Sequence, residues 1–293
     1  MAKAFKNPFL RSSVRVRVPA TTANLGPGFD TMGVALRLYN TVHLTRDPKA
    51  PEPLGMIAET ASCFFSRAGQ APFRFRAEIG GDVPPARGLG SSVTVRLGLA
   101  AGLNALTGEP LSPDSLLGLV IELEGHPDNA VPAFHGGFAT SAPWRYFRTE
   151  VGPRLKFVGL IPDFELETKK ARAVLPKSIP LADAIANLQY ASLISAAFAQ
   201  RDYPKLAGLF EDRWHQPFRA PLIPCWDAVR QAALGAGALG FYLSGAGSTL
   251  MALTLQDADV IAARMSTAAR RAKVKAHTFI TTADNRGVTI SGR

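Results

Sequence analysis

The sequence predicts an α+β protein built in two halves. Short runs with a period of two are interleaved with helical runs along the whole chain, and the elements start afresh beyond about Thr149. With 293 residues, 47% of them hydrophobic and 19% charged, the chain can bury a core in one or two domains. No repeat or low-complexity stretch argues for another architecture. The halves are placed at residues 1–150 and 151–293.

Residues 14–18 alternate valine with arginine and end at Pro19, the pattern of a half-buried edge strand. The interval 20–30 is dense in turn-formers and reads as a loop. Residues 34–44 supply a strand, 54–68 carry apolar residues at helical spacing, and 73–79 alternate as a further strand. A helix over 92–106, rich in Ala, Leu and Gly, follows a glycine-rich loop. Ser112-Pro113-Asp114 then provides an N-cap and first turn for a helix that reaches Glu124 and is stopped by Gly125 and Pro127. In the second half the sequence predicts a strand over 156–161, helices over 181–199 and 204–212, strands over 239–243 and 249–254, a helix over 257–273 and a final strand over 275–281.

Composition narrows the function. A membrane-spanning helix needs about 20 apolar residues in a row. No stretch approaches that, and the opening Met1-Ala2-Lys3-Ala4-Phe5-Lys6-Asn7 has no apolar segment after its lysines, so a cytoplasmic location is expected. Cys63 and Cys225 lie far apart with no CxxC pattern or histidine cluster, which predicts free thiols and neither zinc nor a disulfide framework. The formal charge of +10 attracts any polyanion. Because the arginines are dispersed, with no aromatic-basic interleaving, the charge predicts a solvated surface that favours phosphate substrates rather than a nucleic-acid face.

The segment that carries chemistry is Pro84-Pro85-Ala86-Arg87-Gly88-Leu89-Gly90-Ser91-Ser92, set immediately before a predicted helix. Free backbone N–H groups and the positive end of the helix dipole favour an anion there. Gly88 and Gly90 let the backbone approach a polyphosphate, and the paired serines add hydroxyl donors or a metal ligand. No lysine follows the glycines and the full GxGxxG spacing is lacking, so this is neither the common P-loop nor a dinucleotide fingerprint. Taken alone, the segment also fits a Gly-Ser turn capping a helix with no ligand.

Three further islands, Asn24-Leu25-Gly26-Pro27-Gly28-Phe29-Asp30, Glu124-Gly125-His126-Pro127-Asp128-Asn129 and Leu243-Ser244-Gly245-Ala246-Gly247-Ser248, make the set, in this order, similar to the signature segments of the GHMP kinases. The glycine-serine loop and the late Ser-Gly-Ala-Gly segment resemble the family at large, and the other two resemble its homoserine kinase branch. The resemblance implies an N-terminal ribosomal-protein-like α+β domain packed on a C-terminal ferredoxin-like domain, with ATP and Mg²⁺ bound between them. It implies phosphorylation of the side-chain hydroxyl of L-homoserine, on the route to threonine, by a protein that pairs as a homodimer.

Carried over residue by residue, the resemblance places Pro84, Pro85, Ala86, Arg87, Gly88, Leu89, Gly90, Ser91, Ser92, Val93 and Thr94 around the ATP phosphates, with Ser244, Gly245 and Gly247 in support. Magnesium would take Ser92 and a glutamate. Glu122 and Glu124 are two apart, about 200° around a helix, so both cannot face the nucleotide, and Glu124 is favoured because it lies within the Glu-Gly-His-Pro-Asp-Asn segment. A zwitterionic amino acid needs a cation for its carboxylate and an anion or amide for its ammonium. The resemblance assigns Asn24 and Asp30 to the head or hydroxyl, His126 and Asn129 to the reacting end, and Arg172 and Arg219 to the carboxylate. Asn129 is expected to orient the hydroxyl or a phosphate oxygen while Asp128 supports the loop; which of the two points inward is open in the sequence. The run Val93-Thr94-Val95-Arg96 departs from the small residues of many relatives, and Arg96 is expected to meet a surface acid rather than a phosphate. Another GHMP kinase acting on a mevalonate-like alcohol or a sugar, and a non-catalytic RNA-binding module on the same fold, stay open as alternatives.

Overall fold

A computed structural model describes residues 11–143 and 145–292. The opening segment Met1–Asn7, on which the absence of an apolar leader was read, lies outside the described residues. In chain order the first half contains β1 (Ser13–Ala23), β2 (Met32–Arg46), α1 (Gly55–Ala68), β3 (Phe75–Gly81), α2 (Ser91–Leu106), α3 (Pro113–Glu124), α4 (Ala130–His135), β4 (Phe138–Ala142) and β5 (Arg145–Thr149). The second contains β6 (Lys156–Pro162), α5 (Thr168–Ala173), α6 (Leu181–Gln200), α7 (Gln216–Arg219), α8 (Trp226–Gly235), β7 (Gly240–Leu243), β8 (Leu250–Thr254), α9 (Ala258–Arg271) and β9 (Ala276–Thr281), and ends in β10 (Thr289–Ser291).

The strands form a six-stranded sheet, in the order β10-β1-β2-β4-β5 with β3 also on β2, and a four-stranded sheet in the order β7-β8-β6-β9. Every pairing is antiparallel. Along β1 the alternation does what its period requires: Val14, Val16 and Val18 are buried while Arg15 and Arg17 face solvent. Those valines pack with Val42 and Leu44 of β2 against Leu97 and Leu103 of α2 and Leu119 of α3. Between Pro19 and Ala20 the register with β2 shifts. A bulge suits a proline, which has no N–H for the ladder. Beyond it β1 is buried throughout, because there it runs between the two halves of the protein.

That junction is a shared core. Ala20, Leu25, Met32, Val34 and Leu36 of the first half pack with Leu155, Phe157, Phe198, Tyr242 and Met251 of the second. A third core lies under the small sheet, where Val158, Leu160 and Phe241 meet Trp226 and Val229 of α8 and Ile261 and Met265 of α9.

Four sequence expectations are corrected. β1 is not an edge strand, since β10 covers its outer side through Arg15–Ser291, Val16–Ile290 and Arg17–Thr289. The strand over 275–281 is therefore not the last. The helix expected over 204–212 is a 3-10 turn at Tyr203–Leu206, broken soon afterwards by Gly208 at a φ of 78°. The interval 20–30 is loop only from Asn24, since its first residues continue β1. Helix α3 meets expectation closely: Ser112 accepts from the Ser115 N–H at 3.2 Å, and Gly125 ends the helix at a φ of 83°.

Candidate active site

The segments singled out in the sequence converge on one cleft of about 630 Å³ at the junction of the halves. Its floor is the turn from Pro85 to the start of α2. Ala86, Gly88 and Gly90 all have positive φ, at 52°, 75° and 67°. Four successive carbonyls of this turn are tied back into the protein: Ala86 accepts from Leu166 N–H at 3.2 Å, Arg87 from Thr249 N–H at 3.1 Å, Gly88 from Ser244 Oγ at 2.7 Å and Leu89 from Thr21 N–H at 3.1 Å. Among the described residues, no backbone N–H from 86 to 92 donates to a protein acceptor. A turn whose carbonyls are drawn inward and whose amides are left unspent is a seat for an anion.

Glycine is required at both inner positions. A Cβ on Gly88 would sit 2.1 Å from the Ser244 carbonyl oxygen, and one on Gly90 would sit 2.1 Å from Thr21 Oγ1. Pro85, Ala86, Arg87, Gly88, Gly90, Ser91 and Ser92 line the cleft, as do Gly245 and Ala246 of the late loop. Leu89 and Val93 instead point into the core. Thr94 is buried behind the turn, donating to the Ser91 carbonyl at 2.7 Å, and Ser244, also buried, serves as the tether on Gly88. Pro84 and Gly247 do not line the cleft.

On one wall, α3 presents Glu124 to α2. Ser92 Oγ donates to Glu124 Oε2 at 2.8 Å, and Arg96 Nε lies 2.9 Å from Oε1. The Glu124 side chain is 9% exposed, against 65% for Glu122, which turns outward to pair with Arg67. Burial raises the pKa of Glu124 above the ordinary carboxylate range, opposed by the Ser92 hydrogen bond and then by the charge of Arg96. Arg96 meets a surface acid, Glu59, at 2.8 Å, and in addition this buried one, which the sequence did not suggest.

The opposite end of the cleft gathers the acceptor-side residues. Arg172 on α5 forms a two-pronged pair with Asp30, at 3.0 and 2.7 Å, so residues expected to serve separate ends of a ligand are partners here. Asn24 lines the cleft, yet its amide holds the loop: Oδ1 accepts from Asp30 N–H at 3.0 Å and Nδ2 donates to the Gly245 carbonyl at 2.8 Å. Arg219, 1% exposed, donates to the Ala171 and Gly245 carbonyls at 3.0 and 3.2 Å. Among the described residues no carboxylate lies within salt-bridge reach of it. Burial, and then the nearby Arg172 charge, lower its pKa to about 10.

Asp128 and Asn129 both reach the cleft. Asp128 accepts from Asn129 Nδ2 at 3.1 Å and stands 2.5 Å from His126 Nδ1, while Asn129 Oδ1 accepts from Thr21 Oγ1 at 2.6 Å. Burial works against a charged His126, but the hydrogen bond and charge of Asp128 outweigh it and leave the imidazole pKa above its ordinary value. Asp30, His126 and Asp128 offer ligand atoms within 4.8 Å of one another, a second grouping with the donor types of a metal site. An arginine pairs with a carboxylate in each grouping, Arg172 with Asp30 and Arg96 with Glu124, and Ser92 with Glu124 is the one that adjoins the anion seat, its serine belonging to that turn.

Sequence reasoning missed His215. This fully buried residue has Nε2 2.9 Å from the Gly26 carbonyl, stacks on Phe29 with ring centroids 5.0 Å apart, and has Nδ1 3.4 Å from Arg219 Nη1. Burial pushes its pKa down to about 4. A neutral ring therefore links the 24–30 loop to Arg219. The signal available was weak, a lone histidine outside every motif.

With the site's geometry in place, comparison with known proteins gives its class. Models of the GHMP kinase N-terminal and C-terminal domains match residues 55–137 and 194–271, and the chain belongs to the GHMP kinase family. Its fold is the two-domain fold of that family. Among curated relatives, a homoserine kinase of Microchaete diplosiphon is 42% identical over 296 residues, covering 94% of this chain and 96% of its own. One of Trichormus variabilis is 40% identical over 298 residues, covering 95% and 99%. The crystal structure of homoserine kinase from Cytophaga hutchinsonii superposes with a TM-score of 0.86 at 26% identity, covering 99% of each chain. Mevalonate kinase from Methanococcus jannaschii, at a TM-score of 0.69, 12% identity and coverage of 92% and 98%, shares the fold alone.

Proposed function

We propose that this protein transfers the terminal phosphoryl group of ATP to the side-chain hydroxyl of L-homoserine, giving O-phospho-L-homoserine for threonine biosynthesis. The observation that carries the reading is the joining of two chemistries in one cleft, a phosphate seat at 84–92 and a zwitterion's counter-groups around Asp30, Arg172 and Arg219. Curated relatives named homoserine kinase, 40–42% identical over most of the chain, favour this acceptor over a mevalonate-like alcohol or a sugar.

Phosphoryl transfer asks mainly for alignment and charge neutralisation. The free amides of 86–92 hold the polyphosphate. Ser92 and Glu124 suit Mg²⁺, because a hydroxyl and a carboxylate are hard oxygen donors and Glu124 Oε1 makes no hydrogen bond. When bound, the ion would neutralise charge on the phosphate oxygens. Arg219, a buried cation with no carboxylate partner among the described residues, takes the substrate carboxylate, and Asp30 takes the ammonium while keeping Arg172 in place. Asn129, anchored by Thr21 and Asp128, orients the hydroxyl.

The same reading treats 1–150 and 151–293 as the two domains, with β10 of the second returning to the sheet of the first, the cytoplasm as the location and a homodimer as the assembly. Among the described residues no helix is long and apolar enough to cross a membrane. The test is coupled ADP release with Mg²⁺-ATP, with and without L-homoserine and beside mevalonate and galactose. Homoserine-dependent turnover is expected. ADP release driven only by another alcohol would replace the acceptor, and salt-dependent RNA retention without ADP release would favour a non-catalytic module.

A further inference from the structure

We propose that Arg96 is the resident counter-ion of Glu124 and competes with the divalent cation for that carboxylate, so that it sets how tightly this chain takes its metal. The inference rests on the reading that Ser92 and Glu124 hold the metal.

Arg96 follows Ser92 by one turn of α2, so both side chains leave the same helix face. They divide the carboxylate between them, Ser92 on Oε2 and Arg96 on Oε1. The two contacts differ in kind. Ser92 makes an aligned hydrogen bond, and its oxygen keeps a lone pair for a metal. Arg96 Nε and Glu124 Oε1 are 2.9 Å apart, yet both are buried atoms without a hydrogen bond, as is Arg96 Nη1. Charge holds this pair, with little directional bonding to lose when a second cation arrives.

Arg96 also has somewhere to go. Its Nη2 is 2.8 Å from Glu59 Oε2 on α1, a side chain 57% exposed, whereas Arg96 itself is 11% exposed. A guanidinium between a buried and an exposed carboxylate can shift toward the outer one as the inner one is taken. Where water is scarce, a dication at Glu124 and a fixed positive charge on the same carboxylate repel strongly. The arginine thus offsets the charge of Glu124 and opposes the arrival of a second cation there.

The test is Mn²⁺ binding followed by electron paramagnetic resonance at pH 8, with a non-hydrolysable ATP analogue present. Wild type, R96M, E59Q and E124Q are compared. R96M is expected to tighten Mn²⁺ binding about tenfold by removing the competing charge, and E59Q to weaken it about threefold by leaving Arg96 wholly on Glu124. A residue that only braced the wall would not give opposite signs in these two variants. Unchanged or weaker binding by folded R96M overturns the inference. Should R96M fail to fold, E59Q decides, and binding equal to wild type overturns it. E124Q separates the two levels: loss of Mn²⁺ binding leaves the metal reading standing whatever Arg96 does, whereas wild-type binding by E124Q removes that reading and the Arg96 inference with it.

Discussion

Replacing Gly88 with alanine tests the phosphate seat at its tightest point. The new Cβ would lie 2.1 Å from the Ser244 carbonyl oxygen, and ordinary contact begins at 3.4 Å, so the turn and the late loop must part by about 1.3 Å. The obstacle is backbone, which cannot swing aside as a side chain would. The left-handed conformation at a φ of 75° adds roughly 1–2 kcal/mol for any residue with a Cβ. Misplacement of reacting groups by about 1 Å costs on the order of 10²-fold in rate. G88A is therefore expected to lose about 10²-fold in kcat/KM for ATP in a coupled ADP assay. Gly69 is the matched control, with a φ of 60° and nothing within 4 Å of its would-be Cβ. G69A bears only the conformational penalty, a drop of about 2–4 °C in Tm, with turnover intact. If G88A kept wild-type kcat/KM, the placing of the polyphosphate on this turn would be refuted.

Four further expectations can be checked directly. E124Q should lower turnover by at least about 10²-fold while E122Q stays within about twofold, since only Glu124 faces Ser92; equal effects in steady-state assays would undo the assignment. N129A should lower kcat more than about tenfold with little change in the KM for ATP, and a smaller loss would free Asn129 from the acceptor role. R219M should raise the KM for homoserine by about 10–100-fold, the worth of one charge-assisted contact, and an unchanged KM would move the carboxylate elsewhere. For His126 the folded pKa is raised, so its pairing with Asp128 stabilises the protein fully below the unfolded value near 6.5 and less as pH rises through the folded value. D128N should therefore lower the imidazole pKa in NMR titration and cost more stability at pH 5.5 than at pH 8.5; an unmoved His126 titration would contradict the pairing.

What was legible in the sequence was what local rules govern. Ser112, Pro113 and Gly125 bound α3 because caps and φ preferences act within one turn, and the glycines of 88–90 announce a turn for the same reason. Helix α8 carried a readable signal that went unused, with Trp226, Val229 and Ala233 on one buried face. The pairing of Asp30 with Arg172 joins residues 142 apart in the chain, and no period or spacing encodes such a meeting. The same holds for Arg96 between Glu59 and Glu124, which depends on how α1, α2 and α3 lie together. The sequence could name the groups of the site, but their partners are set by packing.

The placement of β10 against β1 bears on how the polypeptide is made. A ribosome releases residues 15–17 more than 270 residues before 289–291, the neighbour that shields their outer backbone edge. Until β10 is made, that edge of β1 stays open to any extended chain that could pair with it. A change that loosens 289–291 would remove the same protection from the folded protein.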